Sequence, residues 1–131
     1  MSLSALSSVL ESVPQYQLLR KNLESSQARV KARFLPEGAA FTLATLWRHL
    51  ETPVLVVVPR PEAARRMYEQ LVAWSGDQNS IHHFPETETL PFERLYTEID
   101  MIHQRLATLH ALIAAPTSTN RPPMVVTSVV A

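Results

Sequence analysis

Residues Pro53 to Glu62 read PVLVVVPRPE, and Val54 to Val58 form an unbroken apolar run between two prolines. Four valines and one leucine favour extended backbone, and five residues are too few for a buried helix. A continuous β-branched run predicts a strand covered on both faces, the central strand of a parallel sheet. Helical periodicity stands on either side of it. Ala40 to Leu50 carries Leu43, Leu46, Trp47 and Leu50 at helical spacing, and Glu62 to Trp74 carries Ala64, Met67, Leu71 and Trp74. Helix, strand, helix predicts an α/β fold with a parallel sheet.

The pattern extends outward from there. Upstream, Arg29 to Phe34 alternates, with Val30, Ala32 and Phe34 on one side and Arg29, Lys31 and Arg33 on the other, which predicts a strand with one wet face. Residues 3–23 carry Leu3, Leu6, Val9, Leu10, Leu18, Leu19 and Leu23 at helical spacing. Pro14 divides that run into two short helices. Downstream, Gly76-Asp77 closes the second helix and Ile81 to Phe84 is a short strand. Ile99, Ile102, Leu106, Leu109 and Ile113 then form one stripe, and Thr97 with Asp100 resembles a capping box. After a polar loop, Met124 to Val130 is a last apolar strand. With nothing following to pair it, that strand is expected to leave a hydrophobic edge, as in a fragment of a longer chain. The domain reading is a helical segment over 1–24 and one α/β unit over 25–131.

At 131 residues and 46% hydrophobic composition, the chain can bury a core. The absence of cysteine excludes disulfides and thiolate metal sites. No apolar run approaches the roughly 20 residues of a membrane helix, and no basic-then-apolar leader opens the sequence. Twelve basic and twelve acidic residues cancel, which argues against a bulk-basic nucleic-acid binder. Arg20, Lys21, Arg29, Lys31 and Arg33 nonetheless cluster early, and Glu86, Glu88, Glu93, Glu98 and Asp100 cluster late. Each cluster reads as a solvated face or a docking surface.

A strand, a turn with Gly38 and a helix would suit a phosphate-binding loop, G-x-x-x-x-G-K-[ST]. Aligned on Gly38, the sequence has Arg33 for the first glycine, Ala39 for the lysine and Ala40 for the hydroxyl. Pro36 removes a backbone donor and Glu37 adds negative charge, so the loop is degenerate and no nucleotide is expected there. Gly38 and Gly76 are the only glycines, which excludes a G-x-G-x-x-G dinucleotide loop. His82 and His83 should point to opposite faces of a strand, while His103 and His110 share a helix face without a third ligand, so no metal is expected. Glu86 and Glu88 sit among threonines, where nothing local drives their pKa values apart for acid–base work. No G-x-S-x-G elbow is present.

Phe84-Pro85-Glu86-Thr87-Glu88-Thr89-Leu90-Pro91-Phe92, with Asp100-Met101-Ile102 and Arg105-Leu106-Ala107-Thr108-Leu109, resembles the N-terminal region of bacterial transcription-repair coupling factors. Pro53 to Pro59, Ala63-Ala64, Tyr68 and Val125-Val126-Thr127-Ser128-Val129 follow in the same order. Thr87 and Tyr96-Thr97 depart from the Trp and Ser-Pro that the family often has. The resemblance implies that residues 25–131 are the first half of a UvrB-like first domain of P-loop, helicase-like three-layer type, incomplete at its C-terminal side and with a degenerate phosphate loop. It implies a non-catalytic scaffold without cofactor, next to an insert that contacts UvrA. Glu86, Glu88, Leu90, Pro91, Phe92, Asp100 and Arg105 become candidate interface residues. The parent would be a cytoplasmic bacterial translocase on double-stranded DNA, using ATP and Mg²⁺ in motor domains elsewhere, that removes stalled RNA polymerase and recruits UvrA for nucleotide-excision repair.

A flavodoxin-like enzyme or ligand domain is the alternative from another class. Its site would lie at the carboxyl ends of the strands, with Glu37, Glu86 and Glu88 functional. Direct DNA binding by the Arg20–Arg33 cluster is a third reading, marked by steep salt dependence.

Overall fold

The computed structural model describes residues 6–25, 29–87, 99–115 and 121–131. Among these residues, five helices and three strands follow one another as α1 (Ser7–Glu11), α2 (Pro14–Glu24), α3 (Pro36–His49), β1 (Val54–Val58), α4 (Pro61–Ser75), β2 (Ile81–Phe84), α5 (Ile99–Ala114) and β3 (Met124–Ser128). Proline opens α2, α3 and α4, where its missing N–H has no intrahelical partner to lose. Gly76 stops α4 in the left-handed region at φ 70°, and its N–H returns to Val72 O at 2.9 Å.

The strands form a parallel sheet in the order β1-β3-β2. Val54, Val56 and Val58 stand beside Met124, Val126 and Ser128, and Ile81 and His83 stand beside Met124 and Val126. Strand side chains alternate, so this register puts Val56, Ile81, Met124 and Val126 on one face. They pack there against Ala40, Ala44 and Trp47 of α3 and Ala64 and Leu71 of α4. Trp47 also donates its Nε1–H to Pro122 O at 3.0 Å, under the Arg121 guanidinium. Met67 and Trp74 pack at the rim of this core, in line with the α4 periodicity.

The sheet order corrects the expectation for Val54–Val58. That strand lies at an edge, and Leu55 and Val57 on its second face are 66% and 52% exposed. The central place belongs to β3, which is paired on both sides and buries Met124, Val125 and Val126. The hydrophobic edge expected at Met124 to Val130 is therefore paired over Met124–Ser128, while Val129 and Val130 leave the strand in a turn and are exposed. Apolar residues open both strands, VLVVV in β1 and MVV in β3, and the choice of central strand rests on tertiary pairing that composition does not encode.

Residues 29–35 form no strand, and Phe34 and Leu35 are exposed. Alternation makes a strand only where a sheet edge accepts it, and the described sheet contains none of these residues. The N-terminal helices form on either side of residue 13 as Pro14 predicts, but Leu6, Val9 and Leu18 are exposed and Tyr16 is the buried anchor. Tyr16 Oη lies 3.2 Å from His49 Nδ1 on α3, and Arg48 Nη1 donates to Ser7 Oγ at 2.7 Å. Burial, seconded by the charge of Glu11, pushes the Tyr16 phenol up to about 12. Helix α5 forms as predicted, but its stripe faces outward and Thr108 is its buried residue. Thr97, the expected cap, lies outside the described residues.

Candidate functional site at the carboxyl ends of the strands

The carboxyl end of β2 gathers residues from three separate parts of the chain. Thr127, near the end of β3, donates its hydroxyl to Phe84 O at 3.0 Å. Ser128 donates its hydroxyl to Glu86 Oε2, also at 3.0 Å, and Ser128 is only 4% exposed. From α5, Arg105 Nη1 donates to Pro85 O at 2.5 Å while its guanidinium lies 4.0 Å from the centre of the Phe84 ring. Phe84, Pro85 and Glu86 are thus held in turn, Phe84 by Thr127 and the face of Arg105, Pro85 by an Arg105 hydrogen bond and Glu86 by Ser128. Prolines restrict a backbone but supply no N–H donors, and here side chains bond the carbonyls they expose.

On the opposite face of β2, the His83 ring lies 5.8 Å from that of Tyr68 on α4. Thr108 Oγ1 donates to Gln104 O at 2.8 Å and reaches His83 O at 3.4 Å, which seats α5 along the β2 edge. Burial lowers the affinity of His83 for a proton, against the opposing effects of a hydrogen bond with Gln104 and the charge of Glu86. A cleft of about 320 Å³ opens here, between the first turns of α4 and α5, lined by Glu62, Arg65, His83, Glu86, Asp100 and Gln104. Its position, outside the carboxyl ends of parallel strands, is where open α/β sheets bind ligands.

The expected site residues fall into two groups. Glu86, Asp100 and Arg105 lie around this strand end, with Asp100 exposed and Arg105 half-buried. Glu88, Leu90, Pro91 and Phe92 lie outside the described residues. Glu37 is exposed in the first turn of α3, away from the strand end. The positions compared with a phosphate loop do not form a loop after a strand. Arg33 is exposed in the non-strand segment, and Gly38, Ala39 and Ala40 are helical. Gly38 has no positive φ, and its N–H is bonded to Leu35 O at 2.9 Å.

His82 and His83 alternate along β2, yet both line a cleft of about 840 Å³ beside Tyr68 and Thr108. His82 lies with His110, Asp77 and Arg121 in a separate cleft of about 570 Å³ at the amino ends of the strands, and burial lowers its proton affinity too. His103 is exposed. Among the described residues, no group of three or more His, Cys, Asp or Glu is placed to hold a metal ion, and no helix is long and apolar enough to cross a membrane.

Sequence reasoning found Glu86 and Arg105 but left Glu86 without a partner. Ser128 is that partner, 42 positions away. No local spacing announces it, because β3 comes next to β2 only through the α5 crossover. Chemically the Ser128–Glu86 pair is a hydroxyl donor on a carboxylate, and Arg105 is committed to a carbonyl and a ring face. The arrangement fixes where the chain leaves the sheet.

The fold and this strand end define an α/β protein with a three-stranded parallel sheet. Over 73 residues, 56% of the chain, it is 29% identical to the Transcription-repair-coupling factor of Rickettsia typhi (strain ATCC VR-144 / Wilmington). The chain spans 6% of the length of that relative. No protein-family model and no solved structure matches the chain.

Proposed function

We propose that the chain is part of a transcription-repair coupling factor and serves there as a non-catalytic scaffold. The observation that carries the reading is the 29% identity over 73 residues to a protein of that name. The segments that resemble the family supply its local support. Phe84 to Glu86, Arg105 and Thr127-Ser128 are far apart in the sequence and meet at one strand end. In this reading the segment holds a UvrB-like module in shape for its neighbours. The neighbouring insert contacts UvrA, and motor domains elsewhere in the parent use ATP and Mg²⁺ to move on double-stranded DNA and displace stalled RNA polymerase in the bacterial cytoplasm. The segment itself takes no nucleotide.

Reading the locus beyond the codon for Ala131 tests the first part. Helicase motifs in the same frame support it, and an immediate stop codon refutes it in favour of a stand-alone domain. Titration with labelled ATP and Mg²⁺ tests the second part. The expected result is no saturable binding into the millimolar range, and saturation at micromolar nucleotide refutes it.

A further inference from the structure

Among the described residues, α1 and α2 add no side chain to the core between α3, α4 and the sheet. Their buried residues are Ser7 and Tyr16, and both reach polar groups at the end of α3. Ser7 Oγ accepts from Arg48 Nη1, Tyr16 Oη lies 3.2 Å from His49 Nδ1, and Glu11 Oε1 lies 3.4 Å from His49 Nε2. One imidazole therefore touches both helices, α1 at one nitrogen and α2 at the other. The Tyr16 and His49 rings meet edge on, with centroids 6.4 Å apart.

A neutral imidazole has one N–H and one lone pair, and a charged one has two N–H groups. With its phenol pushed up to about 12 by burial, Tyr16 remains a donor throughout the range in which histidines change charge. Among the described residues, Nδ1 is the acceptor it meets. One neutral tautomer satisfies both neighbours, with the lone pair on Nδ1 toward Tyr16 and the proton on Nε2 toward the Glu11 carboxylate. The other neutral tautomer sets a lone pair against that carboxylate and leaves the buried phenol without an acceptor. A second proton turns Nδ1 into a donor, and Thr45 O, 3.0 Å away, is placed to accept it. The phenol then faces an N–H, while the contact with Glu11 becomes an ion pair.

We propose that His49 is a two-position latch for the N-terminal helices. Neutral, it holds α2 through Tyr16. Charged, it releases α2 and keeps α1 through Glu11. A buried hydroxyl without a partner bears the full cost of its lost hydration, so Tyr16 turns toward water and α2 moves with it. Val9 and Leu18 are exposed, so apolar burial does little to oppose the release. The other charges nearby are two arginines. Arg48, next to His49 on α3, bonds Ser7 of α1, and Arg20 on α2 pairs with Glu24 at 2.8 Å. Neither changes charge in this range, so the switch belongs to His49.

Nitrogen NMR of the imidazoles, with His49 assigned by its loss in His49→Gln, tests the starting state. At about pH 8 it should show the Nε2–H tautomer. Amide exchange, corrected for the intrinsic rate at each pH, tests the release. From about pH 8 to about pH 5, protection across α2 should fall about five-fold, the equilibrium equivalent of one hydrogen bond. Tyr16→Phe has no phenol proton to donate. Its α2 should start at the lower protection and lack this step, while keeping any decline that His82 and His83 impose on the whole fold. His49→Gln should lack the step as well. An Nδ1–H tautomer at about pH 8 overturns the proposal, because Tyr16 then has no acceptor there, and this arm is read in the wild-type chain whether or not a variant folds. An α2 decline as large in Tyr16→Phe as in the wild type also overturns it, and assigns the pH dependence to the fold as a whole.

Discussion

The Ser128–Glu86 pair can be tested by a double-mutant cycle, because its two residues should be coupled by an amount that a mere surface contact would not give. Ser128 is 4% exposed and its hydroxyl donates to Glu86 Oε2 at 3.0 Å. Hydrogen bonds to charged groups contribute about 1.5–3 kcal/mol when desolvated. Glu86 is half-buried, so water competes for its second oxygen and the coupling should fall to about 1 kcal/mol. The single variants should be unequal. Ser128→Ala leaves a carboxylate that water can still reach, at a cost of about 1 kcal/mol. Glu86→Ala leaves a hydroxyl buried at the strand end, and costs about 1–3 kcal/mol. Urea unfolding of the wild type, both single variants and the double variant gives the coupling directly. If Ser128→Ala costs the same with alanine at position 86 as with glutamate, the pair does not hold the β2 exit and the reasoning fails. Glu86→Gln keeps an acceptor and should lose under half of what Glu86→Ala loses.

Leu71 is fully buried between α4 and the sheet, so Leu71→Ala should cost about 2–5 kcal/mol, read from the urea midpoint, and Leu71→Met under about 1.5 kcal/mol. The two glycines should respond in opposite directions. Gly76 sits at φ 70° with open space around its Cβ position, so Gly76→Ala meets backbone strain alone and should lower stability by about 1 kcal/mol. Gly38 is helical with open space as well, and Gly38→Ala should raise the melting temperature through about 0.5 kcal/mol of helix propensity; a loss there would show that position 38 is not helical. Burial lowers the proton affinity of both His82 and His83 below the ordinary value of 6.5. The folded state then binds fewer protons than the unfolded one. Their contribution is intact above pH 6.5 and is lost as pH falls through the lowered folded values. Urea midpoints at descending pH should show that decline, and a variant with both residues changed to glutamine should show less of it.

The helices were legible in the sequence because each carries its own signals. Pro14 divides α1 from α2, Gly76 marks the end of α4, and the helical period of Ala64, Met67, Leu71 and Trp74 gives the α4 core face, whereas α3 begins at Pro36, ahead of the Ala40 start that its apolar period gives. The strands at 54 and 124 were legible from β-branched runs, and the one at 81 from the short segment that follows the Gly76-Asp77 break. What could not be read was adjacency. The unbroken VLVVV looks more central than MVVTS, and only the pairing of β3 with both neighbours reverses that order. Residues 29–34 carry a valid strand alternation yet pair with nothing in the described sheet. The α5 stripe was correct as a helix signal but did not say whether it faces inward. At the strand end, Glu86 and Arg105 were visible as motif residues, whereas Thr127 and Ser128 become part of the site only through the crossover.

The order β1-β3-β2 also has a consequence for how the chain reaches this fold. Neither β1 nor β2 has a sheet neighbour until β3 exists, and β3 is the last of the three to be synthesised. A chain emerging from the ribosome carries β1 unpaired from Val58 until Ser128, more than half its length, and β2 unpaired from Phe84 until the same point. Local helices can form within that interval, but sheet closure waits for Met124 to Ser128, and pairing between segments so distant in sequence slows folding.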